Sequence, residues 1–443
     1  MKIKFAVLII IIHSFLLSGC VSEIHQPLPS STPTIVPPTS TAAAPESDLR
    51  ISIESLNLQQ ERDGTIHVYG IAVNQSEHPL SNVRIKIVLQ DSLEKTITLS
   101  IPLLIENLYP DESSPFTAAF TGVHSPATAY AEVTGAEIAN FQRANTEFSE
   151  PIVYQNLDGE TWLSLTASNP TSDRFCMLSA RVGAFSPDGE LMAVNSEGYG
   201  SHTLDARTTR QYYFEFASVN TDVSFRIFMD SQLCGPEIQD PNIGLEAGFF
   251  FDAQGNPFLA GSLINHETFS TRAAAVLTLV RDNQPLSVVE IVPPVPLQPG
   301  EILPFTTNSF PGLSLEELRQ HLQRGNVEIQ TELDPARSTA TEEQLADLTV
   351  SINSLETSGS KLILSGTVEN DQELRVLLPS VLLQITTTDG ALITAGWDIV
   401  ADAMQPGEKA PFILILPIPD GADLRMSEQD LRSFGIMVSV TGQ

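Results

Sequence analysis

Three short stretches of this chain, residues 110–116, 299–305 and 406–412, share one pattern: proline, then Asp or Gly, then Glu, and finally a Pro-Phe pair that ends in Phe116, Phe305 or Phe412. Each follows an asparagine that closes an apolar segment, Asn74, Asn265 or Asn370, at separations of 36, 34 and 36 residues. A fourth asparagine, Asn169, lies 95 residues after Asn74 and 96 before Asn265. A motif that recurs at matched positions marks internal repetition, and each repeat is then one structural unit. In 443 residues, four modules of about a hundred fit without remainder, which is the ordinary size for a small domain.

Within a module the hydrophobic period is two. Val83, Ile85, Ile87 and Leu89 share one face while Arg84 and Lys86 point the other way, the pattern of a strand with one buried and one wet face. Strands are expected over 49–58, 65–73, 83–89, 96–104, 115–120 and 127–138, enough for a small antiparallel sandwich. The asparagines are expected to end second strands, bonding nearby backbone and tolerating a left-handed turn, and Pro-Asp or Pro-Gly to turn the chain into the fifth. Phe116, Phe305 and Phe412 then become inward plugs. Gly70, Gly261 and Gly366, each four residues before its asparagine, mark a bulge or a close backbone approach. Two helical pieces are expected, near 315–322 and 427–432, because Ser314 and Ser427 each carry an acid three residues on. The fold class is therefore all-β, with short helices in the last two modules.

The first twenty residues carry an address. Lys2 and Lys4 precede an apolar run too short for a comfortable permanent span, and Leu17-Ser18-Gly19-Cys20 follows. This resembles the lipobox of bacterial lipoproteins, and the resemblance implies cleavage after residue 19 and lipidation of Cys20. Residues 20–47 hold many Pro, Ser and Thr and almost no charge, so they cannot bury a core and read as a disordered linker. At roughly 3.1 Å per residue such a stalk reaches about 80 Å. The formal charge is -31, or -33 without Lys2 and Lys4, which disfavours nucleic acid and bare anionic membrane as partners. The membrane is expected to be met through the lipid anchor alone, on the extracytoplasmic face of a cell envelope.

The third strand of the first module ends in Ile87-Val88-Leu89-Gln90-Asp91. The layout resembles the FxLYD-type, immunoglobulin-like modules of bacterial surface lipoproteins, matching the signature at Leu and Asp, with Ile for Phe and Gln for Tyr. The resemblance implies extracytoplasmic scaffolding by tandem immunoglobulin-like β-sandwich modules and carries no catalytic motif. The modules are placed at 48–145, 146–240, 241–340 and 341–443. The second keeps Asn169 but replaces the proline turn with Leu204-Asp205-Ala206-Arg207.

Catalytic motifs are thin. Ser358-Gly-Ser-Lys361 has the spacing of a Ser-x-x-Lys nucleophile but is expected at a hairpin tip. Gly198-Tyr-Gly-Ser-His202 sets Ser201 beside His202 without a strand-turn-helix elbow. The histidines are dispersed, so no metal or other cofactor is expected. Asn74-Gln-Ser76 has the spacing of a glycosylation acceptor, though the turn already accounts for Asn74. Cys176 and Cys234, the cysteines besides Cys20, fall in the second module and are expected to form a disulfide in an exported protein, from the loop after the second strand to the exit of the sixth. Trp162, Tyr199, Tyr212 and Tyr213 make the second module the candidate binding surface. The function expected is a noncatalytic binding or adhesion array for an envelope protein or glycan. A passive envelope spacer is the alternative, and a hydrolase with a site in the second module a weaker one.

Overall fold

The computed structural model describes residues 49–443 apart from 62, 123–127, 196–197, 217–222, 236–237, 342–345, 387–391, 421–434 and 443. Cys20, the leader and linker, and the helix expected at 427–432 lie outside the described residues. In the first module the strands are Ile51–Gln60, Ile66–Asn74, Leu80–Gln90, Thr96–Pro102, Ser113–Phe120 and Thr128–Ile138. The first, second and fifth form one antiparallel sheet, here sheet I, and the fourth, third and sixth form the facing sheet II. Their inner faces enclose one core that includes Val68, Ile85, Ile87, Leu89 and Phe116.

The same pairing recurs. Sheet I of the third module joins Ile243–Phe251, Pro257–Asn265 and Ile302–Thr307, and sheet II joins Gln284–Ile291, Ala275–Arg281 and Glu328–Leu333. The fourth module pairs Thr349–Ser358, Lys361–Glu369 and Lys409–Pro417 against Leu392–Ile399, Ser380–Thr386 and Gly435–Gly442. In the second module the first strand is split into Glu147–Phe148 and Ile152–Gln155, both on Thr161–Ser168, which also pairs Thr209–Phe216; sheet II is Leu191–Val194, Phe175–Phe185 and Ser224–Leu233. This is the tandem, immunoglobulin-like β-sandwich architecture, with strands as nearly all of its regular structure.

The repeated asparagines explain why the motif recurs. Each is at most 2% exposed. Its Nδ2 donates to the carbonyl four residues on (His78, Asp173, Phe269, Leu374) and to one before the fifth strand (Leu108, Leu204, Leu297, Met404), at 2.7–3.0 Å. Its Oδ1 accepts from the amide two residues on. One side chain thus ties the second-strand exit to the turn 30-odd residues later and leaves no amide hydrogen of Asn74 for a glycan. The left-handed residue is not the asparagine, as expected, but the one after the proline. Asp111, Gly300 and Gly407 have φ of 61°, 74° and 75°, and in the second module Arg207 keeps the same conformation at 58° without the proline.

Phe116, Phe305 and Phe412 are buried, and each lies directly across the ladder from Gly70, Gly261 or Gly366. A side chain at any of these glycines would overlap the facing ring, and at Gly261 and Gly366 it would first strike a first-strand carbonyl, that of Glu246 or Ser351, so ring and backbone both approach closely. The expected third-module helix is present as Leu315–Arg324, capped reciprocally by Ser314 and Glu317, and Leu318 enters the third core.

Candidate functional site

The second module departs from this plan at its aromatic residues. Counting from the left-handed turn residue, Tyr212 stands where the other modules have the core phenylalanine, but its ladder partner is Leu165, not glycine. A leucine there leaves no room for a ring, so Tyr212 turns to Gly200, where it is the ring that an added side chain would strike, as Phe214 is at Gly198. Tyr212 is 2% exposed and its hydroxyl donates to the Ser201 carbonyl at 2.5 Å, giving the buried oxygen its partner. The stretch from Gly198 runs beside the fifth strand through reciprocal Tyr199 and Tyr213 backbone bonds. The glycines around Tyr199 are therefore packing devices.

Tyr212 belongs to the second core, and the other candidate binding residues form no exposed platform. Trp162 and Tyr213 are 5% and 3% exposed and pack, with Tyr154 and Tyr199, on Val276 and Val288 of the third module. They are outward-facing residues of sheet I laid on the outer face of the next module's sheet II. The first joint has the same design: Tyr69, Ile71 and Val73 of the first module meet Phe185, Leu191, Val194 and Phe228 of the second. At the third joint, Leu382 and Trp397 from sheet II of the fourth module pack on the third, and Thr306 Oγ1 donates to the Ala395 carbonyl at 2.5 Å. Ser360, at the expected hairpin tip beside Lys361, is buried in this joint and donates to Asp252 Oδ2 at 2.8 Å, so it is a fastener.

Polar groups cross each joint. Between the first two modules, Asn57 and Gln59 side chains donate to the Leu191 and Met192 carbonyls, and Asn107 Nδ2 donates to Asp230 Oδ2 at 2.7 Å. Between the second and third, the amides of Gly200 and His202 donate to Glu290 and Asp334, each at 2.7 Å, and Arg210 grips Glu332. Arg337 ties Glu290 to Asp334 at 2.7 and 2.9 Å. Burial pushes the Glu332 carboxyl up against the pull of Arg210. Burial would do the same to Asp334, but the His202 bonds and the Arg337 charge hold it below its ordinary value.

Where the first three modules meet, a cleft of about 450 Å³ is lined by Leu103, Glu106, Ser179, His202, Asp230 and Arg337 among others. Asp230 is 2% exposed, and burial raises its carboxyl from 3.8 to about 7, against the Asn107 bond. His202 Nδ1 lies 3.4 Å from Asp334 Oδ2. The neighbouring Ser201 is 1% exposed and its hydroxyl lies 3.2 Å from Thr203 Oγ1 and 3.4 Å from Glu332 Oε1, so its oxygen is engaged away from solvent. Among the described residues no group of three or more His, Cys, Asp or Glu is placed to hold a metal ion.

Cys176 and Cys234 are joined, Cα to Cα 4.8 Å, across 58 residues. Cys176 lies inside the third strand and not in the loop before it, and the Phe175–Leu233 pairing of adjacent antiparallel strands brings the two together. The joints escaped sequence reading, although the second strand carried a signal: Tyr69, Ile71 and Val73 are apolar on the face that an isolated sandwich would leave wet.

No family model matches the sequence, and no curated protein does. Among solved structures the chain is similar to a crystal structure of a tetra-tandem repeat in the extending region of a large adhesion protein. It is 12% identical over 89% of this chain and 95% of that one, with a TM-score of 0.13.

Proposed function

We propose that this is a lipid-anchored, noncatalytic envelope protein whose four sandwiches, related to FxLYD-type modules, stack into a stiff shaft that presents its far end as an adhesion surface. The observation that carries this is the filled joint. Modules in one chain move freely unless the surface between them is large and apolar, and here apolar side chains and hydrogen bonds occupy the space between each consecutive pair. A shaft suits projection from a membrane through a lipid at Cys20, and an intramodule disulfide suits an oxidising compartment. The aromatic residues of the second module act inside the shaft, so contact with a protein or glycan is assigned to its end. The spacer reading draws on the same stiffness and differs only in the absence of a partner. A noncatalytic role is supported by the engagement of Ser201 away from solvent.

Cells producing the chain, and cells producing a form ending at residue 340, are tested for retention on a coated surface or on neighbouring cells. Retention by the full chain that is lost with the fourth module supports the proposal, and equal retention by both refutes it. Turnover of an ester, peptide or glycoside substrate that disappears in His202→Ala would establish the hydrolase instead. Replacing Cys20 by Ala should release the protein from the membrane and abolish fatty-acid labelling.

A further inference from the structure

In the joint between the second and third modules, Trp162 and Tyr213 close one end against Val276 and Val288. Further along the same strands the two facing sheets border a groove of about 480 Å³. On one wall Ser164, Thr166 and Gln211 face outward from sheet I of the second module, the latter two paired across the ladder. On the other wall Thr278 and Gln330 are paired across sheet II of the third module, with Gln284 at the start of the neighbouring strand. Among the described residues the charged side chains lining the groove are Arg210 and Glu332, which bond to each other at 2.7 Å. A chain of formal charge -31 thus keeps this surface neutral. The outer face of sheet II in the first module, by contrast, carries the Lys86–Glu132 ion pair (2.6 Å).

The hydrogen-bonding groups on these walls are unspent. Ser164 is only 7% exposed, yet its hydroxyl has no hydrogen-bond partner among the described residues, and a buried polar group in that state awaits one. The side chains of half-buried Thr278 and exposed Gln284 and Gln330 have none there either. Thr166 Oγ1 donates to Gln211 Oε1 at 2.9 Å, which leaves the Gln211 amide hydrogens for a further acceptor. We infer that this groove binds one end of an uncharged oligosaccharide. Sugar hydroxyls donate and accept, as the serine, threonine and glutamine groups do, and they bring no charge to be stripped of water. The volume is that of a small-ligand site. A peptide is usually held by backbone bonds along a strand edge. Both walls here are sheet faces whose central strands, Thr161–Ser168 and Ala275–Arg281, are paired on both sides. The site is separate from the far-end surface proposed above and holds without it.

Calorimetric titration of the full chain in detergent micelles tests this. Neutral hexose and N-acetylhexosamine oligomers should bind at about millimolar strength, as suits a small ligand in an open groove, and a sulfated oligomer of the same length should not. Gln284→Ala with Gln330→Ala should weaken binding at least about tenfold, while Thr98→Ala on the first module leaves it unchanged. Both glutamines are exposed, and an unchanged melting curve will confirm that the double variant folds. Oligomers cut from the producing cell's own envelope and from the surface of another cell, titrated separately, show which source supplies the ligand; binding of either upholds the site. Failure of every neutral oligomer, equal binding by the double variant, or binding of the sulfated oligomer alone overturns the inference. So does an uncharged peptide that binds where the sugars do not.

Discussion

In the first module Phe116 lies over Gly70, and in the second the residue at the same position, Tyr212, faces Leu165 and lies over Gly200. The same packing problem, a ring too large for a ladder of ordinary side chains, is met by removing a side chain, but from different strands. In the first, third and fourth modules the bare position is inside sheet I, on the second strand. In the second module it has moved to the segment at Gly198 and Gly200, outside the fifth strand. That shift frees the second strand to carry a full complement of side chains, and it frees the tyrosine to end in a hydroxyl that bonds the Ser201 carbonyl. A departure from a repeat is thus not evidence of a new surface; here it is a second solution to the core.

The comparison breaks most easily at the glycine. Gly70→Leu copies the second module's residue into the first without moving the bare position, so leucine and Phe116 compete for one volume. The expected cost is about 3 kcal/mol, the upper part of the usual range for overpacking. Phe116→Ala alone should cost about 3 to 5 kcal/mol. Together the two should cost clearly less than their sum, because leucine fills part of the cavity that alanine leaves, and contacting residues do not add. Urea unfolding of the three variants measures this. Strict additivity would mean that Gly70 and Phe116 do not share the space the geometry gives them.

The joint between these modules separates them by pH. Asp230 of the second module accepts from Asn107 of the first, and burial raises its carboxyl to about 7. Its ordinary value is 3.8, so the folded molecule holds the proton more tightly than the unfolded chain. The stabilisation is then fully present below about pH 4 and is lost as pH rises through about 7, with a total on the order of a few kcal/mol. Glu106 and Glu112 push in the same direction as burial. Unfolding midpoints of the first two modules should fall between pH 5 and pH 8, and Asp230→Asn should flatten that fall while keeping the acceptor for Asn107. An equally steep fall in the variant would assign the dependence to other groups.

Much of the fold was legible because it rests on local geometry. The period of two, the Pro-Phe plugs and the Ser314–Glu317 cap each state their structure within a few residues of sequence, and the longer asparagine–turn spacing shows itself by recurring. The cysteine pair was legible from compartment and module, although Cys176 proved to lie in a strand. What stayed hidden was non-local. Whether Trp162 and Tyr213 face solvent or Val276 and Val288 depends on a neighbour more than sixty residues away, and an outward aromatic looks the same in either case. The Asp230–Asn107 contact spans 123 residues and has no pattern to announce it. The absence of a side chain at Gly198 and Gly200 was visible, but it read as part of a Ser-His motif until the rings of Phe214 and Tyr212 were placed on it.

The finest contrast is a single oxygen. Phe116 and Tyr212 occupy matched positions, and only the second has a carbonyl waiting for a hydroxyl. Tyr212→Phe removes one buried hydrogen bond and leaves the Ser201 carbonyl without that donor, at an expected cost of about 1 kcal/mol. The ring is retained, so no cavity opens and neighbouring packing is kept. The reciprocal change, Phe116→Tyr, adds a hydroxyl beside the Gly70 backbone, where the second strand already spends its amides and carbonyls on both neighbours. It should cost about 1 to 3 kcal/mol, as a buried polar group without a partner does. Equal small losses from both swaps would show that the two sites accept either ring, and that Gly200 was placed for the ring alone. The expected asymmetry, small in the second module and larger in the first, would show that the hydroxyl is part of the second module's solution.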